Sequence, residues 1–208
     1  MFTGLIQHVG TIHSRFDRPE ATRMEIAAQD WDHLPEPGAS IAVNGCCLTV
    51  VSTGEHLAFD MIPVTLERTT LGSLGIGSGV NLEHAATPET LLGGHLVQGH
   101  VDGVGEVVAN GTDADGGWRL RILAPEPIPD YLIEKGSIAI EGVSLTIAEC
   151  SGNRLEVALI PETLQRTTLG GLQAGDPVNL EADCLSKMVG TLLERRGLVT
   201  PAANAPES

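Results

Sequence analysis

The sequence predicts a mainly β protein, built as two tandem, duplicated, six-stranded antiparallel β-barrels with short helices and a C-terminal helix. Three observations predict it. Four sequence blocks recur in one order in the two halves, the blocks contain short apolar runs of strand length, and turn dipeptides separate those runs at close intervals. Many short strands with frequent turns favour a closed barrel, because closure removes the exposed edges on which sheets aggregate.

The repeat is legible by eye. Ser40 to Val50 reads SIAVNGCCLTV and Ser137 to Ile147 reads SIAIEGVSLTI, aligned without a gap. Ile62 to Gly72 reads IPVTLERTTLG against IPETLQRTTLG from Ile160 to Gly170, and VNLE closes each half at Val80 to Glu83 and Val178 to Glu181. The openings also match, TGLIQHVG from Thr3 against QGHVDGVG from Gln98. Each unit is domain-sized and far longer than a solenoid repeat of roughly 20 to 45 residues. With the boundary near Gly93 and Gly94, the expected organisation is a first barrel at 1–94, a second at 95–185, and a helix with a tail at 186–208.

Along each half, Ile41-Ala42-Val43, Leu48 to Val51 and Leu57 to Phe59 read as strands broken by Asn44-Gly45 and Thr53-Gly54. Asn-Gly between strand-like runs is the strongest short hairpin signal. Its counterpart Glu141-Gly142 puts a Glu where positive φ is less comfortable than for Asn. Short helices are expected after Pro63 and Pro161, stopping at Gly72 and Gly170. From Ser186 to Leu198, Met188, Val189, Leu192 and Leu193 fall at helical spacing, an apolar stripe that a partner subunit or the chain's own barrel must cover. The Pro/Ala tail from Val199 to Ser208 is expected to be disordered.

Composition narrows the function classes. Hydrophobic residues make up 42% and charged residues 19% of the 208, enough for a packed core. A formal net charge of -15 repels phosphate backbones and argues against nucleic-acid or anionic-membrane partners. Neither a signal peptide nor an apolar run of spanning length is apparent, and Cys46, Cys47, Cys150 and Cys184 show no zinc-finger or CxxC spacing. The expectation is a cytoplasmic protein with free thiols.

Several motifs are missing. No GxxxxGK[ST] is present, and Gly99, Gly103 and Gly105 do not complete a dinucleotide fingerprint. Gly142-Val143-Ser144-Leu145-Thr146 approaches a nucleophile elbow but lacks the last Gly and reads as strand. His95 and His100, five apart, would fall on opposite faces of a strand and could not chelate one metal unless a bend intervenes.

The opening MFTGLI, the block NGCCLTV, the segment GGHLVQGHVDG and the block IPETLQRTTLG together resemble the riboflavin synthase family over nearly the whole chain. That resemblance implies two six-stranded barrels with a C-terminal helix, assembled as a homotrimer through that helix. It further implies an active site between the first barrel of one subunit and the second barrel of its neighbour. The implied reaction moves a four-carbon unit between two molecules of 6,7-dimethyl-8-ribityllumazine, giving riboflavin and 5-amino-6-ribitylaminouracil. No metal or redox cofactor is expected, and lumazine synthase is a candidate protein partner. Such a dismutation needs a proton to leave the methyl group on ring carbon C7, donors to stabilise the anion, and a nucleophile or activated water.

Carried across by the resemblance, the functional residues are Ser40, Cys47, Thr49, His100, Ser144, Thr146 and Asp183. His100 is the leading proton-transfer candidate because imidazole titrates near neutral pH. Cys47 and Thr49 share a strand face that Cys46 does not. An ordinary strand cysteine is simply a small buried hydrophobe, but Ser144 at the matching position also offers an X–H group. Extended segments at Gly4, Leu5 and Ile6 and at Gly99, His100 and Val101 can bond a flat heteroaromatic edge through the backbone. To these the resemblance adds Leu48, Leu145 and Lys135. It also adds the strand ends Asp60, Met61, Ile62, Pro63, Val64 and Thr65, and Leu159, Ile160, Pro161, Glu162, Thr163 and Leu164. Glu162 stands where the first half has Val64, so the two sites cannot hold a ribityl chain identically. The rival reading from another class is a non-catalytic lumazine- or flavin-binding antenna protein on the same fold, and the retained X–H groups in both halves favour catalysis.

Overall fold

In the computed structural model, which describes residues 1–32 and 34–198, twelve strands close into two six-stranded antiparallel barrels. The tail from residue 199 lies outside the described residues. The first barrel contains β1 (His8–Asp17), β2 (Thr22–Ala27), β3 (Ser40–Val43), β4 (Cys46–Ser52), β5 (Leu57–Met61) and β6 (Gly79–His84), in the closed order β1-β2-β5-β4-β3-β6. The second contains β7 (Gly103–Thr112), β8 (Trp118–Leu123), β9 (Ser137–Ile140), β10 (Val143–Ser151), β11 (Arg154–Leu159) and β12 (Pro177–Ala182). Its order β10-β11-β8-β7-β12-β9 is the same topology shifted by six strands. Register slips recur at equivalent places, between Ile12 and Ser14 and between Val107 and Ala109, and again after Val50 and Ile147. Such bulges bend a strand enough for a small sheet to close on itself.

Each barrel is filled by the alternating inward residues of its own strands, Ile12, Met24, Ile26, Val50, Phe59 and Leu82 in the first and Val107, Leu120, Ile122, Ile147, Val157 and Leu180 in the second. The dipeptides read as hairpins turn β3 into β4 and β9 into β10. Asn44 and Gly45 have φ of 46° and 76°, Glu141 and Gly142 of 49° and 80°. Gly45 and Gly142 also meet across the joint, where a Cβ on Gly45 would lie 2.7 Å from Gly142 N.

Helix α1 (Pro63–Arg68) and helix α2 (Pro161–Arg166) begin at the expected prolines but stop earlier than expected. Thr69 and Thr167 are extended, and separate 3-10 turns follow at Thr70–Gly72 and Thr168–Gly171. Gly72 is no left-handed helix stop. It is needed because a Cβ there would sit 2.1 Å from Leu66 O. Helix α3 (Cys184–Arg195) starts two residues before the expected position, capped by Asp183, whose carboxylate accepts Leu185 N–H at 2.8 Å. It rests partly on the 3-10 turn Ile128–Tyr131, Gly190 passing close to the Tyr131 ring, while Leu185, Met188, Val189 and Leu192 stay more than half exposed. None of the helices among the described residues is long and apolar enough to cross a membrane.

The joint between the barrels has approximate twofold symmetry. Asn81 Nδ2 donates to Glu141 O and Asn179 Nδ2 to Asn44 O, at 2.9 and 2.8 Å. The same amides accept from Thr168 N–H and Thr70 N–H. At the centre Phe2 and Val97 exchange backbone hydrogen bonds, packed with Ala42 and Ala139.

Candidate active site

The segment leading into each barrel does not stay with that barrel. Gly4 O accepts Ser144 N–H at 2.8 Å, so the segment before β1 lies on β10 of the second barrel, where Ile6 packs against the second core. Gly99 O accepts Cys47 N–H at 2.9 Å, so the segment before β7 lies on β4 of the first barrel, and Val101 packs against the first core. Both glycines are obligatory. Gly4 and Gly99 have φ of 75° and 81°, and a Cβ would come within 2.5 Å of Ser144 Cβ or 2.6 Å of Cys47 Cβ.

A buried carboxylate clamps each exchanged segment. Glu83 on β6 accepts Thr3 N–H at 2.7 Å, Thr3 Oγ1–H at 2.6 Å and Gly4 N–H at 3.0 Å. Glu181 on β12 accepts the N–H groups of Gln98, Gly99 and His100 at 2.6, 2.9 and 2.9 Å. Burial pushes both carboxyls upward, against the pull of the N–H groups they accept.

These exchanges divide the expected site residues into two sets. The first set gathers Ser40, which is paired with Thr49 across β3 and β4, with Cys47, Gly99, His100 and Val101. Strand β5, antiparallel to β4, carries Asp60 and Met61 back alongside, and Ile62, Pro63 and Val64 stand exposed beyond it with Thr65 half-buried. The second set gathers Gly4, Leu5, Ile6, Ser144, Leu145 and Thr146, with Thr146 paired to Ser137, and the exposed end of β11 with Ile160, Pro161 and Glu162. Lys135 lies beside it, its N–H bonded to Ile147 O and its ammonium exposed. Leu48, Met61 and Leu159 point into the cores, so their contact with any ligand is through the backbone. The Asp60 carboxylate is held by two Arg23 hydrogen bonds at 2.8 and 2.7 Å and kept below its usual range by them, and Glu162 pairs with Arg166.

His100 and Ser144 are not brought together, because they attach to different barrels. The residue that reaches Ser144 is His95, whose Nδ1 lies 2.7 Å from Ser144 Oγ. The reading of His95 and His100 as strand neighbours is therefore corrected. The stretch between them is irregular apart from the bridge at Val97, and His95 serves the second set while His100 serves the first. Among the described residues no cluster of three or more His, Cys, Asp or Glu could hold a metal.

Cys46 and Cys47 divide as alternation requires. Cys46 is in the first core and its thiol is pushed up to about 12, chiefly by burial, while Cys47 is half-buried on the site face. Iodoacetamide at pH 8 is expected to alkylate Cys47 well ahead of Cys46, because the thiolate is the reacting form. Peptide mass mapping after short exposure checks this, and equal labelling would contradict the assigned faces.

Cavities also lie away from these two sets of residues. A cleft of about 260 Å³ lies at the far end of β10, lined by Val108, Arg121, Cys150 and Arg154. Grooves of about 370 and 390 Å³ flank helix α3.

Two closed barrels, each with one strand face completed by a segment from the other half, define a duplicated tandem-barrel protein of the lumazine-binding class. The lumazine binding domain matches the chain twice, at residues 3–85 and 98–183. The chain is 42% identical over 204 residues to riboflavin synthase of Mycobacterium tuberculosis, covering 95% of this chain and all of that protein. It is 39% identical over 198 residues to riboflavin synthase of Escherichia coli K12, with 94% and 92% covered. Among solved structures, LumP complexed with riboflavin matches with a TM-score of 0.78 at 32% identity, covering 88% of this chain and 99% of that one. LumP complexed with 6,7-dimethyl-8-(1'-D-ribityl) lumazine matches at 0.77 and 30% identity, over the same shares. The chain belongs to the riboflavin synthase family.

Proposed function

We propose that this protein is a riboflavin synthase, a transferase that dismutates two molecules of 6,7-dimethyl-8-ribityllumazine into riboflavin and 5-amino-6-ribitylaminouracil. The observation that carries this reading is the pair of duplicated sites, each offering an X–H group on its inner strand, Cys47 in one and Ser144 in the other. Two near-equivalent sites suit a reaction whose two substrates are one compound. Holding two rings in register is itself catalytic, since positioning can contribute roughly 7 to 11 kcal/mol. The fold supplies positioning through fixed backbone and the polar groups Ser40, Thr49, Thr146 and His100.

Both sites are open surfaces in a single chain, with Ile62 and Val64 exposed at one and Leu5 and Ile160 at the other. The proposed assembly is a homotrimer through α3, in which the first site of one subunit faces the second site of its neighbour and water is excluded. The exposed stripe of Leu185, Met188, Val189 and Leu192 supports it. We further take the division at 1–94, 95–185 and 186–208, a cytoplasmic location, cofactor independence and association with lumazine synthase as parts of this reading.

The resemblance to LumP favours a second reading, an optical or storage protein that binds the same ligands without turnover. Incubation with 6,7-dimethyl-8-ribityllumazine and no added cofactor separates the two. Riboflavin at half the lumazine consumed is the expected result. Tight binding with no riboflavin would overturn it in favour of the second reading.

A further inference from the structure

We propose that His95 polarises Ser144 and receives its hydroxyl proton during turnover, so that proton abstraction from the substrate belongs to the second barrel. The inference rests on the riboflavin synthase reading. Its first support is geometric. The His95 N–H donates to Thr3 O at 3.2 Å, and Thr3 is itself held by Glu83, so the imidazole enters from a fixed backbone. Gly94 allows that approach, since a Cβ there would lie 2.1 Å from Thr3 O and 2.9 Å from Ser144 Oγ.

The second support is the duplication, which supplies an internal comparison. Cys47 is the counterpart of Ser144, and among the described residues no imidazole is hydrogen-bonded to its thiol, whose backbone N–H meets Gly99 O alone. The halves therefore differ in the one feature that separates a binding hydroxyl from a proton-moving one.

The proton movement balances. As Ser144 Oγ takes a proton from the C7 methyl group, its own proton passes to His95 Nδ1, and the C–H electron pair remains on the ring as a delocalised anion. This requires a neutral imidazole with its remaining proton on Nε2, the nitrogen that is buried without a hydrogen-bond partner among the described residues. Burial holds the ring below the usual imidazole range, favouring the neutral form at rest, and Asp183 at the cap of α3 opposes that shift. The groups that face the ring are Ser144 from β10, within hydrogen-bond distance of Nδ1, and the Asp183 carboxylate, which acts on it electrostatically. His95 reaches the substrate only through Ser144, whose hydroxyl proton it takes.

The test compares wild type with His95→Ala, His95→Gln, Ser144→Ala and the double variant, measuring kcat and KM across pH 5 to 9 and lumazine binding by fluorescence. Loss of about 100-fold in kcat with KM unchanged is expected for both His95 variants, the scale of one proton-transfer group. Glutamine keeps an acceptor for Ser144 and so controls for folding. The decline of wild-type kcat as pH falls through the lowered His95 range should be absent in His95→Gln, and the double variant should be no slower than Ser144→Ala. An active wild type with His95→Gln at full kcat, or a double variant showing the product of both losses, overturns this inference alone. A wild type that binds lumazine and makes no riboflavin overturns the functional reading as well.

Discussion

Replacing Glu141 with glutamine should make the protein increasingly more stable than wild type as pH rises, the gap widening by about 2–4 kcal/mol between pH 5 and pH 9. Glu141 is fully enclosed at the joint between the barrels, and burial raises its carboxyl to about 8. Its Oε1 accepts Asn179 N–H at 2.6 Å and Thr70 Oγ1–H at 3.3 Å, and no cation is hydrogen-bonded to it among the described residues. Because the folded value lies above the unfolded one of 4.5, the group's contribution is complete below the unfolded value and is lost as pH climbs through about 8. Glutamine keeps the accepting oxygen and removes the ionisation. The counterpart in the first half is Asn44, whose neutral Oδ1 accepts Asn81 N–H at 2.7 Å, so the fold already contains the uncharged version of this contact. Urea unfolding of both proteins at several pH values reads the gap directly. A gap that stays constant with pH would mean that Glu141 is ionised throughout and stabilised by something else.

Glu181→Ala is expected to cost about 3–5 kcal/mol of stability and to reduce kcat/KM by about 100-fold or more, because three backbone donors lose their shared acceptor together. Those donors belong to Gln98, Gly99 and His100, the segment that lies on Cys47 of the first barrel and completes the proposed first site. The discriminating measurement is thiol reactivity. Once Gly99 is released from Cys47, that thiol should be alkylated faster than in wild type, while Glu83→Ala, which loosens Thr3 and Gly4 beside Ser144, should leave Cys47 unchanged. If both variants expose Cys47 equally, the clamps act on the fold as a whole and not on one site each.

The barrels were legible because duplication doubles every signal. SIAVNGCCLTV beside SIAIEGVSLTI defines a hairpin twice, and positive φ at Asn44 and Glu141 follows from a two-residue turn between twisted strands. Apolar spacing around Met188 and Leu192 revealed α3, although Asp183 caps it earlier than the spacing alone indicated. What local pattern could not reveal was the partner of each opening segment. Gly4 and Gly99 matched as repeat positions, yet nothing in periodicity says that each crosses to the other barrel. Glu83 and Glu181 were visible only as the last letter of VNLE, since a strand glutamate ordinarily faces water. His95 escaped for a different reason. It lies outside the aligned blocks, and only its contact with Ser144, 49 residues away, reveals it. The GGH sequence before the second repeat was the available signal, with Gly94 marking a close approach to Ser144.

The exchange of opening segments also bears on how the chain matures as it is synthesised. All six strands of the first barrel have been made once His84 is in place, but the face of β4 at Cys47 waits for Gly99 and His100. Thr3 and Gly4 wait much longer, since Ser144 belongs to a strand of the other barrel. The second barrel thus accepts a segment translated long before it existed, and each half finishes folding only by handing part of itself to the other.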